Sequence, residues 1–226
     1  MDQNLKSALE LLLRGDLNVW ESCYHDLLFK KVMAPKLEGV DLLTYDYADR
    51  DVLYRAVHSK AVGNRPIDYL EFGVFQGESM RKWAAINTNP KSRFYGFDSF
   101  EGLPEDWAAG QKKKGDFTTQ GRMPETGDPR VSFVKGWFNK TLVPFLKTFT
   151  PQNTLVLHMD ADLFSSTLYV LMTLDPIIKR GTVAVFDDFN AVDDFAALHH
   201  YSRACGREWS VVAARDNLGK IGIVIH

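Results

Sequence analysis

A chain of 226 residues, 45% apolar and 25% charged, is long enough for one α/β domain with a complete core and some N-terminal elaboration. Its net charge of -2 excludes the polybasic footprint of a nucleic-acid or anionic-membrane binder, and no apolar run is long enough to span a bilayer. No charged-then-apolar leader opens the chain, and Cys23 and Cys205 sit far apart outside any metal-like spacing. Two reduced thiols, a cytoplasmic location and a small soluble partner are therefore expected.

Residues 1–62 read as helices over 4–14, 19–33 and 49–60, an appendage ahead of a core domain at 63–226. The aromatic residues of the appendage are expected to pack on the domain, with a lid over the substrate as the second reading. The core then alternates: strand 67–72, helix 78–87, strands 93–98 and 131–135, helix 139–147, strand 154–159, helix 165–178, strand 182–186. Such alternation predicts a mostly parallel, doubly wound sheet. A polar helix over 192–205 follows, and strands 209–214 and 221–225 close the chain as an antiparallel hairpin. Between residues 100 and 130 a long loop carries Lys112, Lys113 and Lys114, read as a solvated face. His199 and His200 are adjacent on the polar helix and so cannot face one way, which makes them surface residues.

The first strand breaks into Glu71-Phe72-Gly73-Val74-Phe75-Gln76-Gly77, then Ser79 near the start of a helix. Glycine at such a turn tolerates positive φ and lets a ligand meet bare backbone. Alone, the pattern is weak, since small residues also serve strand-to-helix packing. The second strand, however, ends in Asp98 about 25 residues later, near the spacing at which nucleotide-binding α/β folds place a ribose-binding acid. The pattern E-x-G-x-x-x-G lacks the G-x-G-x-x-G that seats a pyrophosphate, so a ligand with a ribose and no phosphates is favoured. These two strands resemble the opening of class I S-adenosylmethionine-dependent methyltransferases, a Rossmann-like fold with a seven-stranded sheet.

The later strands end in Asp160-Ala161-Asp162 and Asp187-Asp188. If they are neighbours, Asp160 and Asp187 lie roughly 5 Å apart on the carboxyl edge where open α/β sheets bind ligands. Converging carboxylates repel unless a cation, a proton or an Arg neutralises them; an all-oxygen set suits Mg²⁺, Mn²⁺ or Ca²⁺ better than Zn²⁺, and no other counter-charge is expected. A lone Asp after a strand is more often a helix N-cap, with Ser165, Ser166 or Asp188 in that role; four together favour the metal. His158, inside the strand, reads as a satisfied core histidine. Asp162 is the candidate general base: two residues past Asp160 on extended backbone, its carboxylate would lean the same way and face the acceptor hydroxyl.

Four runs, Glu71 to Gly77, Gly96 to Glu105, Met159 to Thr167 and Phe186 to Phe189, resemble the macrocin O-methyltransferase family over residues 67–190. The resemblance implies a metal-dependent O-methyltransferase of sugar hydroxyls. By motif, Glu71, Gly73 and Ser79, with Phe75 and Gly77 in the same turn, line the methionine part of S-adenosylmethionine, and Asp98 and Ser99 its ribose. Gly136 and Trp137 would lie near the adenine, Asp160, Asp187 and Asp188 at the metal, with Asp160 also bordering the cofactor, and Asp162 would take the proton. After Phe189 the chain is shorter than the family pattern, which leaves the acceptor open. A catechol-type acceptor, an inert nucleoside-binding module and an NAD-dependent reductase are the rivals, and a homo-oligomer is compatible with all of them.

Overall fold

The structure, a computed structural model, describes residue 15 and residues 17–226. The helix expected over 4–14 lies outside the described residues. Among the described residues six α-helices and eight strands follow one another as α1 (Leu17–Lys36), β1 (Leu42–Leu43), α2 (Asp51–Val57), β2 (Ile67–Phe72), α3 (Glu78–Ile86), β3 (Arg93–Asp98), β4 (Val131–Lys135), α4 (Phe138–Leu146), β5 (Thr154–Met159), α5 (Phe164–Leu174), β6 (Val183–Phe186), α6 (Asp194–Cys205), β7 (Trp209–Arg215) and β8 (Ile221–Ile225). Among the described residues no helix is long and apolar enough to cross a membrane.

All eight strands join one sheet in the order β1-β7-β8-β6-β5-β2-β3-β4, with β8 antiparallel to both of its neighbours and every other pairing parallel. Period-2 alternation divides its faces. Leu70 and Phe72 of β2 join Leu157, Met159 and Phe186 under α4, α5 and α6, through Leu142, Leu171 and Phe195. Tyr69 faces the other way and joins Val156 and Val185 under α2 and α3, through Tyr54, Val57, Met80 and Trp83.

The sheet has eight strands, not the expected seven. Leu42 and Leu43 pair in parallel with Ala214 and Arg215 at the free edge of β7, and the Asp216 amide donates to Leu43 O at 3.0 Å. A two-residue strand carries no period to read, and only β7's unpaired edge groups create it. The helix expected over 49–60 is also broken: α2 gives way to a π-turn over His58–Val62, closed by Gly63 at φ 63°. The helix expected to reach 178 stops at Leu174, two residues before Pro176, which has no N–H to continue the ladder. Helix α1 packs on α6, with Phe29 ring centroids 4.9 Å from Phe195 and 5.9 Å from Phe189. Residues 42–57, expected to belong to the appendage, thus supply a sheet strand and buried Leu53, Tyr54 and Val57.

The chain leaves β2 toward β3 and β4 on one side, while β5 and β6 lie on the other, so the carboxyl ends of β2 and β5 flank the topological switch point. Gly73 is required there twice over. Its φ is 91°, and a Cβ would stand 1.8 Å from the Asp160 carbonyl oxygen of the neighbouring strand end.

Candidate active site

A cavity of about 650 Å³ opens at this switch point. Of the residues singled out by the sequence, Gly73, Phe75, Ser79, Asp98, Ser99, Gly136, Trp137, Asp160, Asp162 and Asp188 line it. Glu71, Gly77 and Asp187 do not: Glu71 is buried beneath Ser79 and accepts its hydroxyl proton at 2.6 Å, and Gly77, at φ 73°, caps α3. On the far wall, Leu103, Pro104 and Trp107 come from the long loop after β3. That loop is tied down where Trp107 Nε1 donates to Asp193 (2.8 Å) and Ser165 Oγ donates to Glu105 (2.8 Å). Lys113 pairs with Asp106 on its exposed side, as a solvated face should.

Asp98 organises the glycine turn as well as lining the cavity. One carboxylate oxygen accepts the Val74 and Phe75 amides at 2.8 Å each, and the other accepts Phe100 N–H at 2.6 Å. Replacing Asp98 with Ala is expected to weaken nucleoside binding by roughly tenfold or more, through both the lost acceptor and the released turn. Calorimetry on the variant checks this, and an unchanged affinity would put the ribose elsewhere.

The acidic cluster forms where β5 and β6 end in register, Met159 opposite Phe186. Oxygens of Asp160, Asp162 and Asp188 all lie within 4.8 Å of one another, and Asp187 makes a second such group with Asp160 and His158. None of them serves as a helix cap for α5, whose N-cap residue is Leu163. The backbone is not extended through this segment: Asp162 sits at φ 62°, in the left-handed region. The carboxylates of Asp160 and Asp162 converge because the chain turns back, rather than by the strand alternation expected from sequence.

The expectation that the cluster lacks protein counter-charge is corrected by Arg50 and Lys220. Lys220 Nζ lies 2.8 Å from Asp187 Oδ2 and donates to the Asp187 carbonyl at 2.8 Å, Arg50 Nη1 lies 3.2 Å from Oδ2, and the Tyr54 hydroxyl donates from 3.1 Å. His158 Nε2 completes the set at 3.2 Å. Burial alone would raise the Asp187 carboxyl, but His158 and Lys220 override it and hold Asp187 well below the usual carboxylate range. The other three go the opposite way. Burial, then repulsion from Asp187 and Asp188, raises Asp160; burial and then Asp188 push Asp162 up to about 8. Burial raises Asp188 as well, against the opposing pull of Lys220. Asp187 is thus an ionised, fully partnered anion behind three carboxyls that cannot all ionise unaided.

Arg50, Tyr54 and Lys220 were invisible as site residues in the sequence. Arg50 and Tyr54 belong to a stretch legible only as helix, and Lys220 to a hairpin turn. Breaking their centre is expected to be costly. Asp187→Asn removes the carboxylate 2.8 Å from the 3% exposed Lys220 side chain and 3.2 Å from Arg50, which should destabilise the fold by about 3–5 kcal/mol in denaturant unfolding. A loss under 1 kcal/mol would show that Lys220 finds another partner or neutralises.

A model of the family described as macrocin-O-methyltransferase (TylF) matches residues 49–208. The chain belongs to this family. The matched region takes in Arg50 and Tyr54 and ends short of Lys220. The chain is 30% identical over 164 residues to demethyldecarbamoylnovobiocin O-methyltransferase of Streptomyces niveus, covering 60% of this chain and 61% of that protein. It is 28% identical over 176 residues to 8-demethyl-8-(2,3-dimethoxy-alpha-L-rhamnosyl)-tetracenomycin-C 4'-O-methyltransferase of Streptomyces olivaceus, covering 67% and 64%. The alignments therefore span less than two thirds of the length of these curated relatives. Two solved structures share the fold, each with a TM-score of 0.56 and 21% identity. One is a calicheamicin methyltransferase, over 78% of this chain and 77% of that one; the other is the O-methyltransferase NovP, over 89% and 98%. This macrocin O-methyltransferase family member thus has the class I methyltransferase architecture.

Proposed function

We propose that this chain is an S-adenosylmethionine-dependent, divalent-cation-dependent O-methyltransferase acting on a sugar hydroxyl of a glycosylated small molecule. The observation that carries the reading is the meeting, in one cavity, of the glycine turn with Asp98 and the carboxyl group set Asp160, Asp162 and Asp188. Both ligands fit the residues present. The turn at Gly73 is bare backbone lining the cavity, and Asp160, Asp162 and Asp188, half-buried carboxyls raised first by burial, are an all-oxygen donor set with Arg50 as a neighbouring cation 4.0 Å from Asp160.

Gly73, Phe75, Ser79, Asp98, Ser99, Gly136 and Trp137 would hold the nucleoside, and Asp160 and Asp188 the cation. Asp187, already engaged by Arg50, Lys220, Tyr54 and His158, would act from behind them. When bound, S-adenosylmethionine would supply an electrophilic methyl group, and the cation would supply Lewis acidity toward an acceptor hydroxyl. The chain's own part is alignment and proton removal: Asp162 accepts the hydroxyl proton, while the wall of Leu103, Pro104 and Trp107 excludes water from the acceptor side. The sugar acceptor is supported by the tetracenomycin relative, whose name specifies a rhamnosyl group and a 4' position. A cytoplasmic setting agrees with the two free cysteines.

Calorimetric titration with S-adenosylmethionine against NAD, followed by a methyl-transfer screen of glycosides and catechols, tests the proposal. Binding of S-adenosylmethionine alone and turnover of glycosides are expected. Binding of NAD would overturn it in favour of a reductase, and turnover of catechols alone would reassign the acceptor.

A further inference from the structure

Tyr69 is fully buried and touches neither the cavity nor the carboxyls that face it, yet its hydroxyl sits midway along a continuous chain of polar groups. From the cavity inward, Ser79 Oγ donates to Glu71 Oε1 (2.6 Å) and the Tyr69 hydroxyl bonds Glu71 Oε2 (2.8 Å). The same hydroxyl bonds His158 Nδ1, and His158 Nε2 bonds Asp187 Oδ1 (3.2 Å). One end is a cavity wall at the first turn of α3. The other is the anion beside Asp160 and Asp188.

The strand pattern places these groups together. Tyr69 and Glu71 share a face of β2 by alternation, and Glu71 stands opposite His158 of β5 in the parallel register. The Trp83 and Phe94 rings lie tilted against the Tyr69 ring at 5.3 and 5.5 Å, and Tyr54 meets His158 edge-on at 5.1 Å, so Tyr69, Glu71 and His158 cannot turn to water. A buried group in such a chain keeps its direction only while its neighbour keeps its own, because an unpaired donor or acceptor in low dielectric is costly. The Ser79 O–H donates to Glu71, which leaves its lone pairs for the cavity, a polarity that suits a cationic amine.

From this geometry we infer that Tyr69 is a positioning residue that couples the nucleoside subsite at Ser79 to the cation subsite at Asp160 and Asp188. The inference rests on the function proposed above. It is distinct from a purely structural role, in which the chain would support the core without linking the two affinities.

The test reads one end while altering the other, on the full chain, with Mn²⁺ and S-adenosylhomocysteine as calorimetric probes. Ser79→Ala, measured without nucleoside, is expected to weaken Mn²⁺ binding about threefold, although Ser79 is no ligand to the cation. Tyr69→Phe is expected to weaken both probes about three- to tenfold, and in that background adding Ser79→Ala should no longer change Mn²⁺ affinity. An unchanged Mn²⁺ affinity in Ser79→Ala overturns the inference even if Tyr69→Phe fails to fold. So does a Ser79→Ala effect that persists in full once the Tyr69 hydroxyl is gone. Failure of the unaltered protein to bind either probe would instead overturn the functional reading beneath it.

Discussion

Asp162→Asn is expected to lower kcat by about 10² to 10⁴ while leaving nucleoside and cation binding near their original values. The geometry makes Asn the discriminating replacement. Asp162 occupies a left-handed backbone conformation at φ 62°, which Asn tolerates better than almost any other non-glycine residue, so the turn that brings the group to the cavity is kept. Asn also keeps the size of the side chain and a donor toward Asp188, its amide N–H standing where the protonated Asp162 carboxyl donates, while losing the negative charge and the capacity to take a proton. Burial and the neighbouring Asp188 push the Asp162 carboxyl up to about 8, which makes it a stronger base than an exposed carboxylate once its proton has left. His158 is the rival within reach, but both its ring nitrogens are engaged, with Tyr69 and Asp187, and it is fully buried. Single-turnover methyl transfer with saturating ligands measures the effect. A normal rate would send the proton through water or a histidine, and a selective loss of cation binding would make Asp162 a ligand.

Much of this site was legible because strand ends are legible. β2, β3, β4 and β5 begin and end where their apolar runs do, and the candidate acids and glycines are the residues at which those runs stop. Parallel register then fixes what meets what, so the sequence alone places Gly73, Asp98 and Asp160 on one edge. The charges that answer Asp187 could not. Arg50 contacts it across 137 positions and Lys220 from a hairpin turn 33 positions away, and neither has a local pattern that differs from an ordinary surface cation. The conformation of Asp162 departs from the expected extended backbone for a related reason: alternation describes a strand, and the strand ends at Met159. Three residues of turn carried the carboxylate back toward Asp160 by a route that period-2 reasoning does not contain.

Chelation is expected to abolish methyl transfer, with recovery on adding Mg²⁺ or Mn²⁺, and the same experiment should reverse the pH dependence of stability. Asp160, Asp162 and Asp188 all have raised carboxyl pKa values in the fold, burial being the first cause of each. A raised carboxyl binds its proton more tightly folded than unfolded. Its contribution is therefore full below the ordinary carboxylate range and is lost as pH climbs toward the folded value, here through about 8 for Asp162. Asp187, held low, acts in the other direction but only in strongly acidic solution. The melting temperature of the chelated protein should accordingly fall between pH 5 and 8. A cation needs these groups deprotonated and displaces their protons, so it binds more tightly, and stabilises more, at the upper end of that window. At a hundredfold excess over its Kd it contributes about 2.7 kcal/mol, which for a chain of this size raises the melting temperature by roughly 5 to 10 °C. Scanning calorimetry at pH 6 and pH 8, with EDTA and with Mg²⁺, gives all four values. Full activity in EDTA together with no Mg²⁺-dependent shift at pH 8 would leave the three carboxyls as buried acids that hold their own protons.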